Sequence, residues 1–350
     1  MNNAKIIIIG AGLSGLMIAY LLQKKGLEVI ILEAHNRIGG RIETVTGTSG
    51  ATMEMGATWF SKPHQNLIAL LDELKISYFR QHTQGISFFE TMSFVPPQKF
   101  EISDAEEPSY RIVGGTATLI EKLVEKVGIQ NIKTQTKITA IKEVDNHLEV
   151  TTSDGIVYKA ETVITTLPPH LLVQTITFEP RLPDFIQQLA RKTHTWMGES
   201  IKFAMEYASP FWRDNKYSGT LFSQASIIQE MYDHSTADNK GYALKGFLNG
   251  GTHMLSEEER KAKVILQLTK LFGPEAGNYV AYHEKVWREE SLTFFPYEHL
   301  LMGHENNGHP DYKKPLLNDK LYISGSETAS ANPGYMEGAV VAAINIASQF

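Results

Sequence analysis

Three glycines, one acid and one arginine near the N-terminus are spaced to hold a phosphate-bearing ligand. Gly10-Ala11-Gly12-Leu13-Ser14-Gly15 reads Gly-x-Gly-x-x-Gly. The first glycine allows a tight turn, the second lets backbone approach a pyrophosphate, and the third lets helix and strand pack closely. A helix opening at such a turn presents unpaired N–H groups and a partial positive charge to phosphates. Glu33 stands 21 residues after Gly12, where a carboxylate accepts hydrogen bonds from both hydroxyls of a ribose and disfavours a ribose 2′-phosphate. Gly39-Gly40-Arg41 follows, with two further points of close backbone approach and a fork of donors for the pyrophosphate. A simple nicotinamide dehydrogenase has no need of this second clamp, so the pattern favours FAD over NAD.

These residues work only if the right elements hold them. Lys5-Ile6-Ile7-Ile8-Ile9 is an apolar β-branched run, the pattern of a strand covered on both faces. A helix is predicted from about Ser14 to Lys25, ended by Gly26, and a second buried strand over Leu27 to Leu32. Together they make a βαβ unit with a right-handed crossover and a parallel sheet. Further on, helices are predicted over 64–74, 116–127 and 256–271, the last with a capping box of Ser256 and Glu259. Residues 86–94 read as a strand. A meander is predicted over 138–143, 147–152 and 156–158 with a tight turn at Asp154-Gly155, and a separate short strand over 162–165. The middle of the chain, 182–287, is strand-rich, with candidate strands at 199–207 and 243–248. Near the end comes a strand at 321–324, a loop, and a helix over 335–348. The reading is α/β: a discontinuous, Rossmann-like dinucleotide-binding domain from residues 1–62, 108–182 and 291–350, and a second, strand-rich α+β substrate domain from 63–107 and 183–290.

Composition limits what the chain does. It has 350 residues, 42% of them hydrophobic and 21% charged, which is globular rather than disordered. A net charge of −6 leaves no concentrated basic stripe for nucleic acid. With no cysteine there is no disulfide, thiolate metal site, cysteine nucleophile or thioether-linked cofactor, which is compatible with a reducing cytoplasm. Ile6 to Leu22 is mostly apolar, but its glycines and the Lys24-Lys25-Gly26 that follows argue against a leader peptide or membrane span. His304 and His309 lack partner carboxylates at metal-ligand spacing and read as loop histidines.

The run Gly10-x-Gly12-x-x-Gly15, Glu33, Gly39-Gly40-Arg41-x-x-Thr44 resembles the flavin-containing amine oxidase family, which includes monoamine, polyamine and L-amino-acid oxidases. Met53-Glu-Met-Gly56-Ala57-Thr58-Trp59 is similar to the segment passing the flavin ring, in its polyamine oxidase version. Met197-Gly-Glu-Ser-Ile-Lys202 with Pro210-Phe211-Trp212 resembles the stretch carrying the active-site lysine. Trp287 with Phe295-Pro296, Ser324-Gly325-Ser-Glu327-Thr-Ala, and Pro333-Gly334-Tyr335-Met336-Glu337-Gly338-Ala339 resemble the later flavin-facing motifs. The fold implied is of the GR2 type, the discontinuous Rossmann-like FAD-binding arrangement. The resemblance implies that Glu33 holds the adenosine ribose, that Ser14 and Arg41 contact the pyrophosphate, and that Ile138 offers backbone to the adenine side. It implies that Gly56, Ala57 and Thr58 line the ring, with Trp287 as a wall. Glu327 would serve the ribityl and phosphate region through a backbone N–H and water. Met336 would present its backbone N–H, at a helix start, to the pyrimidine edge.

The chemistry implied is oxidation of a C–H next to an amine nitrogen, by hydride transfer to flavin N5 with dioxygen as acceptor and peroxide as product. Lys202 would sit near N5, and Tyr335 would steer the amine. Departures from the family sharpen the expectation. Glu290 falls near the place where monoamine oxidases attach flavin to cysteine, so the FAD should be non-covalent. Ser291 stands where a second tyrosine would face Tyr335, and Trp59 replaces the arginine by which amino-acid oxidases hold a carboxylate. About 50 residues separate Trp59 from Gly114-Gly115, which implies a reduced lid. Alternatives are a flavin dehydrogenase or desaturase, a renalase-like oxidase of reduced nicotinamides, and an FAD-bound scaffold without turnover. A nicotinamide-only dehydrogenase is disfavoured by Gly39-Gly40-Arg41. The expected partner is a small-molecule amine, with neither nucleic acid nor a membrane span.

Overall fold

The computed structural model describes residues 2–103 and 105–350. Its larger sheet is built around the strand Asn2–Ile9. Ile6 and Ile8 pack among the helices Leu13–Lys24, Ala117–Val127 and Met336–Ala347, while Ile7 and Ile9 face a second core with Ile141, Val150 and Leu172. Both faces are covered, which is why the sequence shows a continuous apolar run instead of alternation. Parallel neighbours lie on either side, Val29–Leu32 and Val157–Thr165. The main path of this eight-stranded sheet runs Thr177–Glu179, Ile138–Val144, His147–Thr152, Val157–Thr165, Asn2–Ile9, Val29–Leu32, Ile132–Lys133, with Leu321–Ile323 off it.

The strands expected at 156–158 and 162–165 are one strand, Val157–Thr165. Its first half pairs antiparallel with His147–Thr152, and its second half pairs parallel with Leu321–Ile323. A change of partner halfway along, rather than a break in the backbone, accounts for the change of pattern in the sequence. Through this pairing the last strand of the chain joins the sheet of the first, and the first and last helices pack against each other.

The second sheet has the order Tyr279–Val286, Ile201–Tyr207, Tyr242–Leu248, Ile228–Asp233, Tyr217–Ser223, Ile86–Glu90, Gln98–Glu101. All seven residues of Ile201–Tyr207 are buried. Ile201, Phe203, Met205 and Tyr207 sit in a core with Val264 and Leu268 of the helix Glu257–Phe272, whose capping box is present. Lys202, Ala204 and Glu206 take the opposite face, where Ala204 meets Met53 and Met55.

The helix Gln65–Glu73, which the sequence division groups with the second sheet, packs instead in the core of the first. Leu67, Leu70 and Leu71 carry that packing, and the Asn66 and Leu67 backbone N–H groups donate to the Glu337 carboxylate on the last helix at 3.2 and 2.7 Å. Among the described residues no helix is long and apolar enough to cross a membrane.

Candidate functional site

The site forms beyond the carboxyl ends of Asn2–Ile9, Val29–Leu32, Val157–Thr165 and Leu321–Ile323, where ligands of open α/β sheets bind. The turn after Ile9 needs glycine. Gly10 has φ +103°, and a Cβ on Gly15 would stand 2.0 Å from the Gly10 carbonyl oxygen, so only hydrogen lets the helix start there. Gly12 pairs with Gly39 across an isolated bridge, bringing the two glycine runs together. Ser14 lies in the first turn of the helix, with its Oγ buried and without a partner among the described residues. Glu33 is buried, accepting from Ala11 N (2.6 Å) and His35 N (2.8 Å).

One cavity collects nearly every residue singled out from the sequence: Gly10, Gly12, Ser14, Glu33, Gly39, Gly40, Arg41, Gly56, Ala57, Thr58, Ile138, Lys202, Trp287, Tyr335 and Met336 all line it. Gly15 and Glu327 are not in the lining. Gly15 serves the packing of helix on turn. Glu327 is fully buried, and its two oxygens accept from Arg41 Nη1 at 2.5 Å and Nη2 at 2.8 Å. Burial alone would push the Glu327 carboxyl up, but the Arg41 charge and its hydrogen bonds hold it below the ordinary carboxylate value. Arg41 also donates to Ser326 Oγ (2.8 Å) and the Trp196 carbonyl (3.2 Å).

At the other end the wall is aromatic. Trp287 is buried and donates from Nε1 to the Met55 carbonyl at 2.7 Å. Trp59, Phe247 and Trp196 line the same space. Lys202 reaches between them with 5% exposure and donates to the Gly56 carbonyl. Burial lowers its amine from the usual lysine value to about 8, against the pull of Glu54 and Glu230. Tyr335 is the N-cap residue of the last helix, and Met336 is its first residue. The Tyr335 ring, 40% exposed, stacks 5.7 Å from His304 and lies 5.6 Å from Trp196. His304 therefore belongs to an aromatic stack at the cavity. Among the described residues no group of three or more His, Cys, Asp or Glu side chains is placed to hold a metal. Ser291 lines the cavity, while Glu290 turns to Lys285 Nζ at 2.9 Å.

Sequence reasoning did not single out Trp196, Phe247 or Lys245. Lys245 is fully buried behind Trp59 and donates to Thr58 Oγ1 at 2.9 Å. The alternation of Ala243, Lys245 and Phe247 was the available signal, but which face met the cavity depended on a partner strand far away in sequence.

The donor set suits a flavin dinucleotide. It combines a glycine cradle that a Cβ would fill, a buried unpartnered hydroxyl at Ser14, a helix N-terminus and an acid of the ribose type. A chamber lined by aromatic side chains adjoins them.

A family described as flavin containing amine oxidoreductase matches residues 13–89 and 77–349. The chain is 24% identical to the probable flavin-containing monoamine oxidase A of Dictyostelium discoideum, covering 98% of this chain and 96% of the relative. It is 24% identical to the putrescine oxidase of Kocuria rosea, covering 82% and 83%. Among solved structures, putrescine oxidase bound to putrescine superposes with a TM-score of 0.86 at 24% identity, over 99% of this chain and 98% of that one. Cyclohexylamine oxidase from Brevibacterium oxydans gives 0.86 at 20% identity, over 99% and 98%. The alignment with the Dictyostelium protein spans 450 positions against 350 residues here, so that relative carries inserted segments which this chain lacks.

Proposed function

We infer the reaction from a fixed premise: this chain belongs to the flavin-containing amine oxidoreductase family. It is an FAD-dependent oxidoreductase; without cysteine no thioether link to the flavin forms, and with Glu290 near the family's attachment point the FAD is held non-covalently. The substrate is an amine, and the acceptor is dioxygen. The observation that carries this reading is Lys202, a buried amine standing where the glycine-lined cradle meets the aromatic chamber.

Bound FAD would supply the oxidation, taking a hydride equivalent from the C–H next to the substrate nitrogen so that an imine leaves for hydrolysis. The remaining work belongs to the chain. Glu33 offers two oxygens to the ribose hydroxyls, and Ser14 and the helix N-terminus take the pyrophosphate. Arg41, neutralised by Glu327, fixes the Ser326–Glu327 turn beside that region and leaves less net positive charge for the phosphates than a free guanidinium would. Gly56, Ala57 and Thr58 present backbone to the ring, and Met336 offers its N–H at the start of the last helix. Trp59, Phe247 and Trp287 exclude water, so a substrate amine enters neutral and with an apolar substituent. Tyr335 orients that amine with its ring. Lys202 holds a proton at Nζ beside Gly56 and assists oxygen reduction.

The purified protein should be yellow and should release FAD on acid treatment. Anaerobic addition of apolar primary amines, with diamines and reduced nicotinamides in parallel, should bleach the flavin with the first group fastest. A colourless protein that takes up no added FAD, or bleaching only by the nicotinamides, would overturn the reading.

A further inference from the structure

Lys202 has a neighbour that the function above does not use. The strands Ile201–Tyr207 and Tyr242–Leu248 are antiparallel, with Lys202 opposite Phe247 and Ala204 opposite Lys245. Facing positions on such a pair share one side of the sheet, so the two lysines are diagonal neighbours on the side where Ala204 meets Met53 and Met55. Lys245 is fully buried and Lys202 nearly so. Phe247 lies between them, its centroid 4.9 Å from Lys202 Nζ and 4.7 Å from Lys245 Nζ. Lys245 Nζ also stands 3.9 Å over the Trp59 ring.

A chain of hydrogen bonds joins the two amines. Lys245 Nζ donates to Thr58 Oγ1 at 2.9 Å, Thr58 Oγ1 donates to the Gly56 carbonyl at 3.2 Å, and Lys202 Nζ donates to that same carbonyl. We propose that Lys245 is a positioning residue for Lys202: the two amines, joined through Thr58 and Gly56, act as one unit that keeps a single proton at the Lys202 end. Lys245 holds Thr58 and Trp59 from behind and so fixes the carbonyl toward which Lys202 points. This rests on the amine-oxidation reading.

Electrostatics agree with the geometry. Two ammonium groups in one dry wall cannot both stay charged. Burial lowers Lys202 to about 8, and burial together with the Lys202 charge lowers Lys245 much further. Other elements facing the pair contribute Glu54 and Glu230, which favour the charged forms, and Arg111, which opposes it at Lys245. His234 lies close enough to feel both lysines. Lys285 and Tyr232 stand opposite Lys202 and Lys245 in register. Among the described residues Lys202 donates to a carbonyl and Lys245 to a hydroxyl, which favours the proton at Lys202.

The test uses the FAD-loaded protein carrying 13Cε-lysine, since the Cε shift follows protonation of the amine. In the wild type one buried lysine should titrate near 8 and a second should remain neutral to lower pH. In Lys202→Met the Lys245 signal should titrate about one unit or more higher than in the wild type, the size expected for two charges in a partly screened wall. An unmoved Lys245 titration, or one in the range of a surface lysine, would overturn the pairing. In parallel, photoreduced Lys245→Met should be reoxidised by oxygenated buffer at pH 7 about tenfold more slowly than the wild type, a near 1.4 kcal/mol effect, with FAD affinity within about twofold. Lys245→Gln keeps a donor for Thr58 and should recover most of that rate. Reoxidation at the wild-type rate in Lys245→Met, or no recovery in Lys245→Gln, also overturns the proposal. Should Lys245→Met fail to fold, the Lys245→Gln rate and the Lys202→Met titration decide. If no amine bleaches even the wild type, the amine reading falls on its own, while the titrations still decide the coupling.

Discussion

An exposed lysine keeps its proton to about pH 10, whereas Lys202 gives it up near 8 because its side chain is buried and only partly compensated by Glu54 and Glu230. The sign matters for function. Below 8 the Lys202 amine is charged, and above 8 it is neutral. If the charged form assists oxygen reduction, reoxidation of reduced enzyme should slow as pH rises through 8. Lys202→Met should reoxidise about tenfold more slowly at pH 7, show no such limb, and bind FAD as the wild type does. Rapid mixing of reduced protein with oxygenated buffer checks all three. Reoxidation at the wild-type rate would remove Lys202 from the mechanism.

At the level of elements, the first strand, the glycine turn and the first helix act as one part. The strand is fixed by parallel partners on both sides, and the helix is pressed onto the turn by the contact at Gly15. Gly15→Ala puts a methyl where a backbone carbonyl stands 2.0 Å away, so helix and turn must separate. The N–H groups proposed to hold the phosphates then move, and FAD affinity should fall by more than about tenfold, a loss of roughly one good charge-assisted hydrogen bond. Titration of the apoprotein with FAD, followed by flavin fluorescence, measures this; affinity equal to the wild type would contradict it. The helix Gln65–Glu73 shows another side of element-level order: its first N–H groups are satisfied by Glu337 from the last helix, not by a local cap.

On the scale of the whole molecule, the two ends of the chain are tied by Arg41 and Glu327, which lie 286 residues apart and make a two-pronged ion pair whose carboxylate is fully buried. Glu327→Gln leaves the guanidinium without its counter-charge, a change that costs about 3–5 kcal/mol where the abandoned charge is fully buried and less here, where the Arg41 side chain is a quarter exposed. The unfolding midpoint at pH 7 should fall accordingly. Because pairing holds the folded carboxyl below its ordinary value, the stabilisation is complete above the usual carboxylate range and is lost as pH falls through the folded value. The gap between the melting curves of wild type and variant should therefore narrow as pH falls through the carboxylate range, and a gap of constant size across that range would exclude the ion pair as its source.

Much of the cradle was legible in the sequence because its chemistry is local. The spacing of Gly10, Gly12 and Gly15 and the acid at Glu33 are fixed by a single turn between adjacent elements. The β-branched run Ile6–Ile9 reports burial on both faces without reference to any other segment. The capping box at Ser256 and Glu259 is equally local. Tertiary structure alone decided what depends on distant partners. It made Val157–Thr165 one strand, gave the fork of Arg41 to Glu327, moved Gln65–Glu73 into the first core, and set Lys245 behind Trp59. A strand's alternation names two faces but not which of them is inward; register with a remote strand makes that choice, and with it the company each side chain keeps.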